Sequence, residues 1–286
     1  MKNKLINQTL AFIFCLFLLA GCAASDGPSA YEIKSAEEGI DIGAALKVSF
    51  PGKTAPEGST RDESDMNPAL HDWILRANAI FYEDHELDFD RTMIAGGDPQ
   101  DEAFRKTIKS DLADNSIRSR ENLQDKVNEL ITSGCYVKSQ RLLKKLQKDG
   151  LTEVSQTEME TYAAKHVRHY EYTATYNTYN RSGDSLVMAW DYLRALNRLA
   201  RGYGAGYITF DEYEAAAVPI ALRLQESYAS FEDIDYAYNQ GYLFCNGYST
   251  GKVDDTYARR KEIAERLKSE DTVSYDLPES VVAAPQ

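Results

Sequence analysis

Residues 189–241 read AWDYLRALNRLARGYGAGYITFDEYEAAAVPIALRLQESYASFEDIDYAYNQG, and this stretch decides the fold class. Trp190, Leu193, Leu196, Asn197 and Ala200 share one face at helical spacing. Asp191, Arg194, Arg198 and Arg201 follow at intervals of three, four and three, forming a charged strip beside that face. Gly204 and Gly206 permit a sharp reversal before Ile208. Thr209 with Glu212, and Ser230 with Asp233, match the capping-box spacing that opens a helix. The stretch is therefore helical throughout.

Working outward, the same punctuation recurs. Ser155 with Glu158 opens another helix, and a helix from about 184 to 202 precedes the reversal. Ser119 caps RENLQDKVNELITS, where Leu123, Val127, Leu130 and Ile131 face one way and Gly134 is the stop. Leu142, Leu143 and Leu146 make a short helix ended by Gly150. Asp98-Pro99 opens a helix through Phe104, Ile108 and Leu112, and Pro68 starts one through HDWILRANAIFYE. YARRKEIAERLK supplies the last amphipathic helix, and no segment alternates like a strand. The expectation is an all-α fold: one compact domain of about eight helices over 67–269, followed by a short tail at 270–286.

The 286 residues are 43% hydrophobic, enough to bury a core. Acidic residues outnumber basic ones 45 to 32, a net charge of −13, which argues against a nucleic-acid partner. A single apolar run, at 10–20 behind Lys2 and Lys4, excludes a multi-span membrane protein. Eleven residues fall short of the roughly 20 needed to span a bilayer, so the run reads as an export signal. Leu19-Ala20-Gly21-Cys22 resembles the bacterial lipobox. That resemblance implies that 1–21 is removed and that Cys22 is diacylated, making the membrane a partner through its lipid. Ala23, standing where an aspartate would resemble an inner-membrane retention signal, points to the outer membrane. Residues 22–66 (SDGPS, PGKTAPEGS, RDESD) read as a flexible tether, with a short ordered piece around 44–50.

Cys15 leaves with the signal and Cys22 carries lipid, so Cys135 and Cys245 remain. In an oxidising compartment they are either a disulfide or two buried thiols.

The chemical motifs are incomplete. Gly183-Asp184-Ser185-Leu186 matches an esterase signature, but no histidine follows His169 to serve as base; Ser182 or Asp184 reads better as a helix cap. His166 and His169 share a face without a carboxylate at ligand spacing. Asp84, Asp88, Asp90 and Asp98 lack the glycine and closing glutamate of a calcium hand. Tyr172, Tyr176 and Tyr179 form a stripe that suits a helix seam better than a ligand platform. No metal and no cofactor is expected.

The 189–241 stretch, with its Ala-Trp-Asp-x-x-Arg-Ala helix and Gly-Tyr-Ile turn, resembles the bacterial family called Domain of Unknown Function 1266. LADNSIRSRENLQDKVNELITSG is similar to that family's other segment, so the likeness covers about 104–247. Asn115-Ser116 replaces the family's Trp-Gly, Cys135 its histidine and Phe231 a tryptophan. The resemblance implies a fold and no activity. Physically, Trp190, Asp191, Arg194 and Arg198 read either as a buried polar network or as a clamp for a carboxylate or phosphate. The structural role is favoured, because Asp191 neutralises one arginine. The functional expectation is a non-catalytic binding module at the cell envelope with a protein or cell-wall partner. A carboxylate-pair envelope hydrolase is the alternative, and a toxin-neutralising lipoprotein a third.

Overall fold

The computed structural model describes residues 46–55, 61–85, 90, 92–247 and 252–282. Among them the chain is all-α and carries no strand. Its helices are α1 (Pro68–Ala77), α2 (Ala79–Asp84), α3 (Glu102–Asp114), α4 (Arg120–Ser133), α5 (Cys135–Lys148) and α6 (Gln156–Ala163). They continue as α7 (His169–Ser182), α8 (Met188–Gly204), α9 (Phe210–Ser227), α10 (Phe231–Asn246), α11 (Lys252–Glu270) and the single turn α12 (Glu279–Val282).

The described helices outnumber the eight expected, for local reasons. HDWILRANAIFYE is two helices rather than one, divided at Asn78, whose backbone leaves helical geometry at ψ 3° while its side-chain Nδ2 donates to the Ile74 carbonyl at 3.1 Å. Ser119, Ser155, Thr209 and Ser230 each accept a backbone N–H, as their spacing predicts. Two starts differ. Asp98 caps only a turn, whereas Asp101 accepts from the Ala103 N–H at 2.8 Å and begins α3. Neither Ser182 nor Asp184 caps α8, which starts at Met188 after a 3-10 turn and Leu186 at φ 45°. The Ser185 hydroxyl of the esterase-like motif donates to the Ser227 carbonyl at 2.6 Å and pins that turn to the end of α9.

Helix α8 is the axis of the core. Every residue but Arg194 is buried, because α3, α4, α5, α9 and α10 all pack on it. A helix surrounded this way keeps polar groups only if they are paired. Gly206, at φ 72°, makes the reversal into α9 without the Cβ clash that another residue would meet. Ser116 takes φ 62° where the resembled pattern has glycine, a left-handed conformation that costs a side chain about 1 kcal/mol.

Both ends of the body extend further than expected. Val48 and Phe50 are buried, and Val48 exchanges hydrogen bonds with the Asn128 side chain of α4, each at 2.9 Å. Residues 46–50 are thus part of the domain. At the other end, the Trp73 indole donates to the Tyr275 carbonyl at 2.9 Å, and Leu277 and Val281 are buried. The expected tail at 270–286 is packed through 281. Cys22, the signal at 1–21 and Asp88 lie outside the described residues.

Candidate functional site

The four residues singled out in the sequence occupy one helix but not one site. Asp191 turns to α5, where Gly134 offers no side-chain cap. Its Oδ2 accepts the Tyr136 N–H at 2.6 Å, capping α5 from 55 residues away. A Cβ on Gly134 would lie 2.4 Å from that carboxyl carbon, so only glycine admits the contact. Arg194 stands 4.0 Å from Asp191 and lies over the Trp190 ring, 5.0 Å from its centroid. Arg198 spends its donors on the Asn197 and Asn115 side-chain oxygens, at 3.2 and 3.0 Å. Asn115, which replaces the resembled tryptophan, is therefore its partner. Burial, then the charges of Arg201 and Arg194, lower the Arg198 pKa to about 9. It remains a cation at neutral pH, 3% exposed, and its geometry is that of a structural network rather than a clamp.

Burial pushes the Asp191 carboxyl from its ordinary 3.8 up to about 6, against the pull of the Tyr136 N–H and Arg194. The folded chain thus holds this proton across a window in which the unfolded chain releases it. The stabilisation is complete below about pH 4 and is lost as pH rises through about 6. Asp191→Asn keeps an oxygen for the Tyr136 N–H but cannot ionise. Thermal melts across that range should show a shallower fall with rising pH for Asp191→Asn than for wild type. Parallel curves would refute the assignment.

The cysteines that sequence left open are joined: Cys135 and Cys245 form a disulfide with Cα atoms 6.3 Å apart, tying the start of α5 to the end of α10. The tyrosine stripe serves seams. The Tyr176 hydroxyl bonds the Val154 carbonyl, and Tyr172 stacks on His166 with centroids 4.5 Å apart. Among the described residues, no group of three or more His, Cys, Asp or Glu is placed to hold a metal ion.

The concave surface lies elsewhere. A cleft of about 260 Å³ opens between α6, α7, α10 and α11. Gln156 and Glu160 supply one wall, Tyr170 and Asn177 a second, and Gln240 and Tyr257 the inner end. Gln240 is 3% exposed; its Nε2 donates to the Tyr257 hydroxyl at 2.9 Å, while its Oε1 has no hydrogen-bond partner among the described residues. Gln156 holds the Glu160 carboxylate at 2.8 Å. Sequence reading missed this cleft, since its residues come from four helices and share no motif. A second concavity of about 320 Å³ lies over Arg76, whose guanidinium is already bonded to Asp235 and Asp271.

Against known proteins, the model of a family described as "Protein of unknown function (DUF1266)" matches residues 101–278, from just before α3 through the packed C-terminal segment. No curated protein and no solved structure matches.

Proposed function

The chain belongs to the DUF1266 family, whose match covers more than half of its length, and we propose on other grounds that it is the binding body of an exported lipoprotein. In this reading the protein is anchored in the outer membrane of the bacterial cell envelope by lipidated Cys22 and binds a protein or cell-wall component without catalysis. The observation that carries it is the pairing of two independent features. The lipobox-like Leu19-Ala20-Gly21-Cys22 supports export, and the Cys135–Cys245 bond supports an oxidising destination. After removal of 1–21 the chain carries 30 basic and 45 acidic side chains, so an anionic lipid surface repels the body. Among the described residues no helix is long and apolar enough to cross a membrane, which leaves attachment to the acyl chains in this reading. The cleft between α6, α7, α10 and α11 is the proposed binding face, because it is concave and lined by polar and aromatic side chains from four helices.

The test is metabolic palmitate labelling of wild type and Cys22→Ala, with density fractionation of the envelope. Wild type should be labelled and recovered with outer membrane. The variant should lose the label and accumulate unprocessed. A labelled Cys22→Ala protein would place the anchor elsewhere, and recovery of wild type with inner membrane would overturn the Ala23 argument.

A further inference from the structure

We propose that the basic face of α5, continued by the loop between α6 and α7, docks on an anionic phospholipid surface. The inference needs a bilayer within reach and does not need lipid on Cys22. Helix α5 carries Lys138, Arg141, Lys144, Lys145 and Lys148 and no acidic residue, in a chain whose acids outnumber its bases 45 to 32. Lys138, Arg141, Lys145 and Lys148 follow at intervals of three, four and three and share a face. Tyr136, Leu143 and Leu146, on the opposite face, are buried. None of the five cations forms an ion pair among the described residues. Arg259, Arg260, Arg266 and Lys268 of α11, by contrast, each meet a carboxylate. Like charges three or four apart destabilise a helix, and Lys138 stands close to the N-terminus, where the dipole disfavours a cation. The stripe therefore works against the isolated fold and is relieved by an anionic neighbour.

The loop extends this face. Tyr172 joins the two: Lys145 Nζ stands 5.5 Å from its ring centroid, and His166 stacks on the same ring at 4.5 Å. Burial raises the Glu171 pKa, and Arg168, its ion-pair partner, and Lys138 both pull it back, which puts loop and helix around one carboxylate. Over 135–171 seven lysines and arginines stand against five acids, the reverse of the balance in the whole chain. Of those acids, Glu158 is engaged by Ser155, Glu160 by Gln156 and Glu171 by Arg168. At the tip, between Lys165 and Arg168, Val167 is 89% exposed, the one large hydrophobic side chain so placed among the described residues. Against a bilayer such a tip enters the apolar boundary while the flanking cations meet phosphates. Val167 thereby selects a lipid surface over a soluble polyanion, which gives an apolar tip nothing to enter. The net charge of the body opposes such a surface, but charges more than about 8 Å away are screened, so the face in contact decides. Repulsion of the acidic remainder leaves this face to meet the bilayer.

The experiment places a fluorophore at the tip. Full-length Val167→Trp is reconstituted with phosphatidylcholine vesicles carrying brominated acyl chains, with and without about one-third phosphatidylglycerol. Trp73 and Trp190 are buried, at 0% and 7% exposure, and the unaltered protein gives their background. With phosphatidylglycerol, emission from position 167 should shift to the blue and be quenched by bromine, and about half-molar salt should abolish both effects. Lys144→Gln with Lys148→Gln, two exposed positions, should lower the docked-to-free ratio at least about tenfold, since each cation near such a surface contributes about fivefold. Tryptophan itself seeks the interface, so amide exchange at 164–168 of the unaltered protein gives a second reading. It should slow on the phosphatidylglycerol vesicles, and should not respond to them in Val167→Asp. No shift and no slowing, equal effects with and without phosphatidylglycerol, or a shift that grows with protein concentration in the absence of lipid would overturn the docking surface, the last by giving the face to a second copy. Failure of the Cys22 labelling would bear on the anchor alone, because position 167 reports contact however the chain reaches the vesicle.

Discussion

Reduction of the Cys135–Cys245 bond, or replacement of both cysteines by alanine, is expected to destabilise the protein by about 2–5 kcal/mol. The bond closes a separation of 110 residues, and in the chain-entropy model a loop that long restricts the unfolded chain by roughly 4–5 kcal/mol. For a domain of this size the loss corresponds to a melting point lower by roughly 5–20 °C. Both half-cystines are buried, at 8% and 7% exposure, so reductant reaches them slowly in the native state. Melts of oxidised and reduced protein, the latter reduced while unfolded and then refolded, make the comparison. Equal melting points, or two free thiols titrating in the non-reduced denatured protein, would refute it.

Removing the Asp84 carboxylate should be at least as damaging. Asp84 lies at the end of α2, and its two oxygens accept from Arg259 and Arg260 of α11. Burial works to raise its pKa, but the two guanidiniums outweigh that and hold it below the usual carboxylate range. The two arginines differ in their surroundings. Arg259 is 45% exposed, whereas Arg260 is 5% exposed and sits among Trp190, Tyr238 and Tyr242, 5.6, 5.5 and 4.4 Å from their ring centroids. Asp84→Ala strands the buried guanidinium without its counter-ion, which costs about 3–5 kcal/mol. Arg259→Ala should cost under about 1 kcal/mol, since water replaces the partner it loses. Arg260→Met removes the buried charge at similar volume and should fall between the two. Urea unfolding of the three variants orders them, and an Asp84→Ala protein no weaker than Arg259→Ala would sink the account.

How far the sequence could be read follows from the range of each interaction. Ser119, Ser155, Thr209 and Ser230 announce their helices because a cap and the N–H it accepts lie within three residues. Gly134 was legible as a stop for the same reason. Its second role, clearing space for Asp191, was not, because that carboxylate lies 57 positions away in the chain. Arg76 with Asp235, and Asp84 with Arg260, are separated by 159 and 176 residues, and nothing local marks either pair. The strip of Asp191, Arg194 and Arg198 was visible as a spacing. Spacing alone could not show that its members face a helix end, a tryptophan and two asparagines respectively. The cleft was hidden for a related reason: Gln240 becomes notable only when the packing of four helices leaves its oxygen without a partner.

The clasp between Val48 and Asn128 fixes where the described body begins, beside α4. On the proposed anchoring at Cys22, a linker ending at residue 66 would count 45 residues, whereas packing from residue 46 onward leaves 24 between the anchor and the described body. Fully extended, that length reaches at most about 85 Å. That beginning lies against α4, whereas the cleft is framed by α6, α7, α10 and α11. If Cys22 carries the proposed lipid, the body stays within that distance of its anchor. Shortening 22–45 by deletion would reduce that reach without removing any residue of the described body.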